Sequence, residues 1–393
     1  MQKLRYGIVG IGKQGHTYAI RLHKGLDRHA VLTAVCDIAP ERRAWARKSL
    51  KGVAIYEDYR ELIAGPDVDA VIVVTPHYIH PEIAMAAMER GKHVLIDKPA
   101  GVYTKAVREM NECAAAHPEL TFGIMYNQRT NPLYIKAKQF IESGEMGALK
   151  RVNWIITNWY RPQAYYDQGG WRGTWAGEGG GVLTNQCPHQ LDLFQWLAGM
   201  PKSVRSTCKI GVNRDIAVEN DVTFTAEYGN GASGVFVTST HDYPGTNRLE
   251  ISGDGGQIVI ESSLAADKMT IQRLKTKETA FNKVNKKFMP FIPKATKIVK
   301  TGPVANAWRL GIGGQHMGIL RNFSRAVLFG DKLIAPGIEG INGLMLSNAV
   351  YLSGWLDREI TLPVDENLYF EQLQKRISAE LKAQEQEKQE ASA

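Results

Sequence analysis

The chain opens on a short apolar run, Tyr6 to Val9, that meets a glycine-rich turn and then a stretch of helical character from Thr17 to Lys24. The alternation then repeats. Val31 to Cys36 is apolar and ends at Asp37, and Pro40 and Glu41 open a helix through Leu50. Asp69-Ala70-Val71-Ile72-Val73-Val74 is a continuous apolar run, as expected of a parallel strand covered on both faces. Pro81 starts a helix that stops at Gly91, with proline at the N-terminus and glycine at the C-terminus. Val94-Leu95-Ile96, a helix from Thr104 to Ala116 and a strand from Thr121 to Met125 continue the pattern. Strands alternating with helices predict an α/β fold over residues 1–127, a doubly wound parallel sheet of the Rossmann type. Such sheets hold ligands at the carboxyl ends of their strands.

The pattern changes after residue 127. Pro132 to Ser143 reads as a helix, Lys150 to Trp159 as an alternating strand, and Tyr160 to Gly181 as an irregular, tryptophan-rich stretch. Gln186 to Leu197 reads as a helix. Strands from Val204 to Glu261 are punctuated by hairpin signals at Tyr228-Gly229-Asn230-Gly231 and Gly253-Asp254-Gly255. Gln315 to Phe329 and Gly340 to Trp355 read as helices. This predicts an α+β domain over 128–365 with a mostly antiparallel open sheet. Residues 366–393 form a last helix, docked by Tyr369, Leu373, Ile377 and Leu381 at every fourth position, with a frayed polar tail from Lys382.

The glycine turn reads Gly10-Ile11-Gly12-Lys13-Gln14-Gly15, a G-x-G-x-x-G between strand and helix. Its glycines serve a tight turn, close approach to a pyrophosphate, and close packing of helix on strand. The helix N-terminus then faces that phosphate with its free N–H groups and positive dipole end. Asp37 stands where an acid should meet the adenosine ribose hydroxyls. It favours NAD over NADP, because a 2′-phosphate would meet a carboxylate. Arg42 and Arg43, which could hold such a phosphate, are read as solvated first-turn positions.

Bulk properties narrow the classes. The 393 residues suit two domains or three, and the net charge is +8. Ten Lys or Arg residues against Glu278 fall between Lys268 and Lys300, so the rest of the chain is nearly neutral. That stretch, within a basic excursion over 264–303, offers only Phe281, Phe288 and Phe291 as aromatics, and Pro290 and Pro293 break any helix. It therefore reads as a solvated excursion or a subunit contact, with no nucleic acid as partner. No apolar run reaches the roughly 18 residues of a membrane span, so no membrane partner is expected. The first strand begins almost at once, leaving no room for a signal peptide, which points to the cytoplasm. Cys36, Cys113, Cys187 and Cys208 are scattered and read as reduced core residues. No metal-ligand spacing occurs, and no metal is expected.

Two further stretches carry the chemistry. One is Asp97-Lys98-Pro99 at a strand end; the other runs from Gly179-Gly180-Gly181 through Asn185 and His189 to Asp192. With the glycine turn and Thr75-Pro76-x-x-x-His80, they make residues 4 to 365 resemble the glucose–fructose oxidoreductase/inositol dehydrogenase/rhizopine-catabolism (Gfo/Idh/MocA) family. The basic excursion and the tail lie outside the shared pattern. The family's Glu-Lys-Pro appears here as Asp97-Lys98-Pro99, and the aspartate of its Gly-Gly-Gly-x-Leu-x-Asp-x-x-x-His as Asn185.

The resemblance implies that Lys98 lies beside the nicotinamide and bonds the reacting hydroxyl, and that the Lys98–Pro99 bond is cis. Oxidising a secondary alcohol needs a base for the hydroxyl proton, which His189 can be near neutral pH and an amide cannot. His189 is thus the expected acid/base and Asn185 a substrate-binding residue; four apart, they share a face if helical. Ile11, Lys13, Gln14, Thr75, Pro76, His77, His80 and Asp97 join the glycines, Asp37 and Lys98 on the cofactor side. Tyr126, Arg129, Trp159, Trp171, Arg172 and Trp175 are expected to line a carbohydrate pocket. Asp192 orients the imidazole or caps local structure, and His316 is a weaker substrate contact. The implied activity is NAD-dependent oxidation or reduction of a secondary hydroxyl on a sugar, a glycoside (its 3-position included) or an inositol. A glycosidase working by transient oxidation and a non-enzymatic dinucleotide and sugar sensor are the alternatives. Family members usually assemble as homo-oligomers, dimers or tetramers, through the open sheet.

Overall fold

The computed structural model describes residues 3–262, 267–288, 291–301 and 314–392. Two compact units result: Met1–Thr130 with Gly313–Leu344, and Asn131–Ile312 with Met345–Ala393.

In the first unit, strands β1 (Leu4–Val9), β2 (Ala30–Cys36), β3 (Ala54–Tyr56), β4 (Ala70–Val73), β5 (His93–Ile96) and β6 (Phe122–Ile124) form one sheet in the order β3-β2-β1-β4-β5-β6. Every pairing is parallel, as the apolar runs predict. Helices α1 (Lys13–His23), α2 (Pro40–Ser49), α3 (Tyr59–Ala64), α4 (His80–Glu89) and α5 (Thr104–Ala116) connect them. β3 and α3 have no counterpart in the sequence reading. Three partly exposed residues carry no periodic signal, and α3 is instead started by the Asp58 carboxylate, which accepts the Arg60 N–H at 2.8 Å. Strand order reverses between β1 and β4, so the ligand crevice of this sheet lies at their carboxyl ends.

The helix Gly314–Phe329 returns to this unit, although a boundary at 127/128 assigned it to the second domain. Met317, Ile319, Leu320 and Phe323 join the core around Tyr6. The Ser324 hydroxyl lies 2.9 Å from that of Tyr6 and donates to Asp27 at 2.8 Å. An amphipathic pattern says that a face is buried, not which core receives it.

The second unit contains α6 (Pro132–Glu142), β7 (Leu149–Ile156), α7 (Gln163–Tyr166), α8 (Pro188–Ala198), β8 (Ser203–Ile210), β9 (Glu219–Glu227), β10 (Ser233–Ser239), β11 (Asn247–Gly253) and β12 (Gly256–Ser262). It continues through β13 (Asp267–Leu274), α9 (Glu278–Val284) and β14 (Lys294–Lys300). The remaining helices and strands among the described residues are α10 (Gly314–Phe329), α11 (Gly340–Leu356), β15 (Ile360–Thr361) and α12 (Glu366–Ser392). The sheet order is β14-β13-β12-β11-β7-β10-β9-β8-β15, antiparallel except where β7 meets β10. β7 alternates as predicted, burying Val152, Trp154 and Ile156. Rings of Phe194, Phe224 and Phe236 meet on the covered face.

Two expectations need correction. The basic excursion is not simply solvated: β13 and β14 extend the sheet, and lysines on the outer strand discourage further edge pairing. Residues 264–266, 289–290 and 302–303 of that stretch lie outside the described residues, as does Ala393. The polar tail is helical through Ser392. Glu380 supplies an anchor that four-residue periodicity does not show, accepting N–H bonds from Trp175 at 2.8 Å and Ala176 at 3.0 Å.

Candidate functional site

At the end of β1 the chain turns through Gly10 (φ +90°), where a Cβ would fall 2.6 Å from the Val74 carbonyl oxygen. A Cβ on Gly15 would fall 1.9 Å from the Gly10 oxygen, so α1 rests directly on the turn. Gly12 precedes α1. No side chain caps that helix and no acid occupies its first turn, which leaves its N-terminal donors for an anion. A Cβ on Gly12 would meet only Arg42, at 3.4 Å, so the approach is open. At the end of β2 the buried Asp37 carboxylate accepts N–H bonds from Ile11 at 2.8 Å and Ala39 at 2.9 Å. Arg42 lies 3.3 Å from Asp37, and Arg43 donates to the Asp37 and Ile38 carbonyls at 2.9 and 2.7 Å. Arg43 is thus turned onto the Asp37 turn and largely covered, whereas Arg42 stays solvated, as expected, beside the Asp37 carboxylate. A cradle only glycine permits, an uncapped helix end and a placed carboxylate fit a dinucleotide.

The strand ends beside this cradle are tied together. After β4, Thr75-Pro76 leads into a short 3-10 turn, His77–Ile79, and His80 opens α4. After β5, the buried Asp97 carboxylate accepts the Lys98 N–H at 2.7 Å and the Tyr18 hydroxyl of α1 at 3.2 Å. The Lys98–Pro99 bond is cis. Buried His80 lies between, its Nδ1 2.8 Å from the Pro99 oxygen and its Nε2 2.7 Å from the Thr75 oxygen. Both ring nitrogens thus face main-chain carbonyls, although cofactor contact was the expectation for this residue. Burial pulls its pKa down, against the two carbonyls. His77 sits edge-on to it at 6.0 Å. His316 is enclosed beside Asn127 and the Tyr18 ring, and burial pushes its pKa down to about 4.

In the second unit, Gly179 to Gly181 lead into a π-helical turn, Val182–Gln186, and α8 starts anew at Pro188. The single helix expected here is therefore two pieces, and Asn185 and His189 do not lie on one continuous face. A proline has no N–H to carry the ladder across, and π turns are frequent at functional sites. Glu219 holds the turn, accepting the N–H groups of Gly181 at 2.9 Å and Leu183 at 3.0 Å and the Tyr351 hydroxyl at 2.8 Å. Burial pushes the Glu219 carboxyl up to about 7, against those donors. The Asn185 amide donates to Glu178 and, at 3.1 Å, to the Tyr165 hydroxyl. Arg172 donates to the same oxygen at 2.6 Å and stands 4.6 Å over the Trp171 ring. Trp159 flanks Arg161 at 5.7 Å. Half-buried His189 is the second residue of α8. Buried Asp192 accepts the Gln195 amide at 3.1 Å.

Three residues expected to line a sugar pocket are core residues. Arg129 is 1% exposed, bonded to Glu339, with its guanidinium 5.3 Å over the Tyr126 ring. The Tyr126 hydroxyl donates to the Gly340 carbonyl at 3.3 Å. Trp175 stacks edge-on with Tyr351 and Trp355 and donates its indole N–H to Ala217 at 2.8 Å. Sequence reasoning missed Tyr165, Glu178 and Glu219, whose partners are remote or lie in irregular chain. Among the described residues no His, Cys, Asp and Glu cluster could hold a metal ion, and no helix is long and apolar enough to cross a membrane.

The parallel sheet with its dinucleotide cradle, followed by an α+β unit on an open sheet, defines a class of nicotinamide-binding oxidoreductases. Residues 4–123 match the oxidoreductase family model with an NAD-binding Rossmann fold, and residues 134–259 match the Gfo/Idh/MocA C-terminal domain. The chain belongs to the Gfo/Idh/MocA family, and its first unit is an NAD-binding domain. It is similar to inositol 2-dehydrogenase 4 of Saccharopolyspora erythraea, 28% identical over 198 residues, 50% of this chain and 55% of that protein. Levoglucosan dehydrogenase of Pseudarthrobacter phenanthrenivorans is 25% identical over 292 residues, 66% of this chain and 74% of that protein. The chain spans about half the length of several curated relatives it matches, 47% for a carboxy-chloro-dihydroxycyclohexadiene dehydrogenase of Comamonas testosteroni. Among solved structures, the WlbA dehydrogenase of Chromobacterium violaceum, in complex with NADH and UDP-GlcNAcA, is similar with a TM-score of 0.75. It is 26% identical, covering 93% of this chain and 97% of that one.

Proposed function

We propose that the protein is an NAD-dependent dehydrogenase that oxidises a secondary hydroxyl of a sugar, a glycoside or an inositol, the 3-position of a glycoside included. The observation that carries this reading is Lys98. It sits at the carboxyl end of a parallel strand beside the dinucleotide cradle, on a turn fixed through Asp97 and His80. The relatives named for inositol and levoglucosan support the substrate class.

Bound NAD supplies a hydride acceptor. The Lys98 ammonium donates a hydrogen bond to the substrate oxygen and stabilises the negative charge that grows there as the carbon loses hydride. The His189 imidazole takes the hydroxyl proton. Asn185 holds a neighbouring substrate oxygen. Asp37 accepts the ribose hydroxyls and disfavours a 2′-phosphate. We further infer a homo-oligomer, dimer or tetramer; a monomer in light scattering would refute that part.

The test is nicotinamide absorbance with NAD and then NADP against monosaccharides, alkyl and aryl glycosides and inositols. NADH formation with one ring configuration is expected, and Lys98→Ala and His189→Asn should each lower kcat by roughly 10²–10⁴. Silence across the panel, with NAD binding confirmed by calorimetry, would overturn the dehydrogenase reading.

A further inference from the structure

The hydroxyl of Tyr165 is surrounded by donors. Arg172 reaches it at 2.6 Å, the Asn185 amide at 3.1 Å and the Gln186 amide at 3.3 Å. A phenol oxygen has two lone pairs and one proton. The three N–H groups occupy its acceptor capacity, while among the described residues nothing accepts its proton. The orientation of Asn185 is fixed independently, because the same amide nitrogen donates to the buried Glu178 carboxylate, an acceptor only. The ring is also fixed. The Arg161 and Arg172 guanidiniums lie 5.0 and 4.7 Å from its centroid, and Tyr166 meets it edge-on at 5.1 Å. A half-buried hydroxyl so held is a pre-aimed hydrogen-bond donor.

We propose that Tyr165 is a substrate-contacting, specificity-determining residue that donates its hydroxyl proton to an oxygen of the sugar beside the one held by Asn185. The proposal rests on the dehydrogenase reading for its substrate class but not for its geometry. A site built to bond one oxygen rejects the analogue that lacks it more strongly than packing alone can. The oxygen is either a ring hydroxyl or the carboxylate of an acidic sugar. Deoxy and uronate analogues separate the two.

The experiment compares the parent protein with Tyr165→Phe on the polyol it oxidises, that polyol's set of single-deoxy analogues and its uronate. KM for the parent polyol should rise about 10- to 100-fold, with kcat within a few-fold. One analogue should lose its handicap: in Tyr165→Phe its KM should equal that of the full polyol. A uniform rise across all analogues would mean that Tyr165 only braces Asn185, and would overturn the proposal. Unchanged KM would also overturn it, because the proton then rests on Gln186 with that amide turned over. The same panel titrated calorimetrically into NADH-loaded protein needs no turnover. Selective binding lost in Tyr165→Phe, without oxidation by the parent protein, would sink the dehydrogenase reading and uphold Tyr165. Binding that Tyr165→Phe does not alter would sink the proposal alone.

Discussion

Glu219 makes stability depend on pH in an uncommon direction. Its carboxyl is completely buried beneath the turn from Gly181 to Leu183, and burial lifts its pKa from the ordinary 4.5 to about 7, although Gly181, Leu183 and Tyr351 all donate to it. A folded-state pKa above the unfolded one means that the folded protein holds the proton more tightly. The associated stability is therefore complete below about pH 4.5 and is lost as the pH rises through about 7. At about 1.4 kcal/mol per pH unit, that interval is worth roughly 3 kcal/mol. Glu219→Gln removes the titration and keeps the shape. Its amide nitrogen must face one of the three donors, so a pH-independent loss is expected, but the share of the slope that Glu219 contributes should vanish. The assay is urea denaturation at pH 5 and pH 8, followed by tryptophan fluorescence. Among the described residues Trp45 is the one tryptophan of the first unit and five others and Trp355 lie in the second, so the signal reports mainly the second. The parent should lose about 2.5 kcal/mol more than Glu219→Gln between these pH values, since pH 5 already lies above the unfolded pKa. Parallel slopes in the two proteins would refute the argument, and would mean that the donors outweigh burial.

Other consequences follow from the first unit. Asp37→Ala removes the carboxylate that is expected to bond the ribose and frees Arg42, now 3.3 Å from it. KM for NAD should rise roughly 10- to 100-fold while NADP becomes usable, from the 1.5–3 kcal/mol typical of bonds to charged groups; unchanged cofactor preference in steady-state kinetics would place Asp37 away from the ribose. His80→Gln can keep at most part of the tie between Thr75 and Pro99. We expect kcat to fall by about 10²-fold, as for a misplacement near 1 Å, with NADH affinity by fluorescence titration nearly unchanged; equal losses in both would make His80 a general fold element. Glu339→Gln takes a carboxylate partner away from the buried Arg129 charge. Because Glu339 is 37% exposed, the cost should be about 2 kcal/mol, below the 3–5 typical of fully buried pairs, read by far-ultraviolet dichroism in urea. Parent-like stability would show that Arg129 is otherwise compensated.

The first unit was legible because its information is local. A strand, a glycine turn and a helix start occupy Leu4 to His23, and Asp37 ends the next strand, so each element announces itself within a few residues. The carboxyl end of β5 made Lys98 legible in the same way. What failed depended on distance or on a break in periodicity. A three-residue strand has no period, and helix α10 could have faced either core. The split between Asn185 and His189 turns on a π turn, for which an i, i+4 spacing is no guide.

The groups that position the expected site residues show where sequence reading reaches its limit. Lys98 is placed by Asp97 next to it and by His80, 18 residues earlier, and only the first of these is local. Asn185 is placed by Glu178 and Tyr165, both in the irregular stretch, where no periodicity marks a side chain as inward. The turn from Gly181 to Leu183 is held by Glu219, which Tyr351 in turn bonds, from a strand and a helix far along the chain. Each expected site residue thus carries a local signature, whereas the groups that position it are brought in by tertiary structure. The supporting groups are also the buried, charged or hydrogen-bond-saturated ones, where a single change costs most. Substitutions there should divide into those that lower stability and those that alter kinetics at constant stability. Tyr165→Phe and His80→Gln are expected in the second class and Glu339→Gln in the first, because Glu339 pairs directly with the buried Arg129 charge.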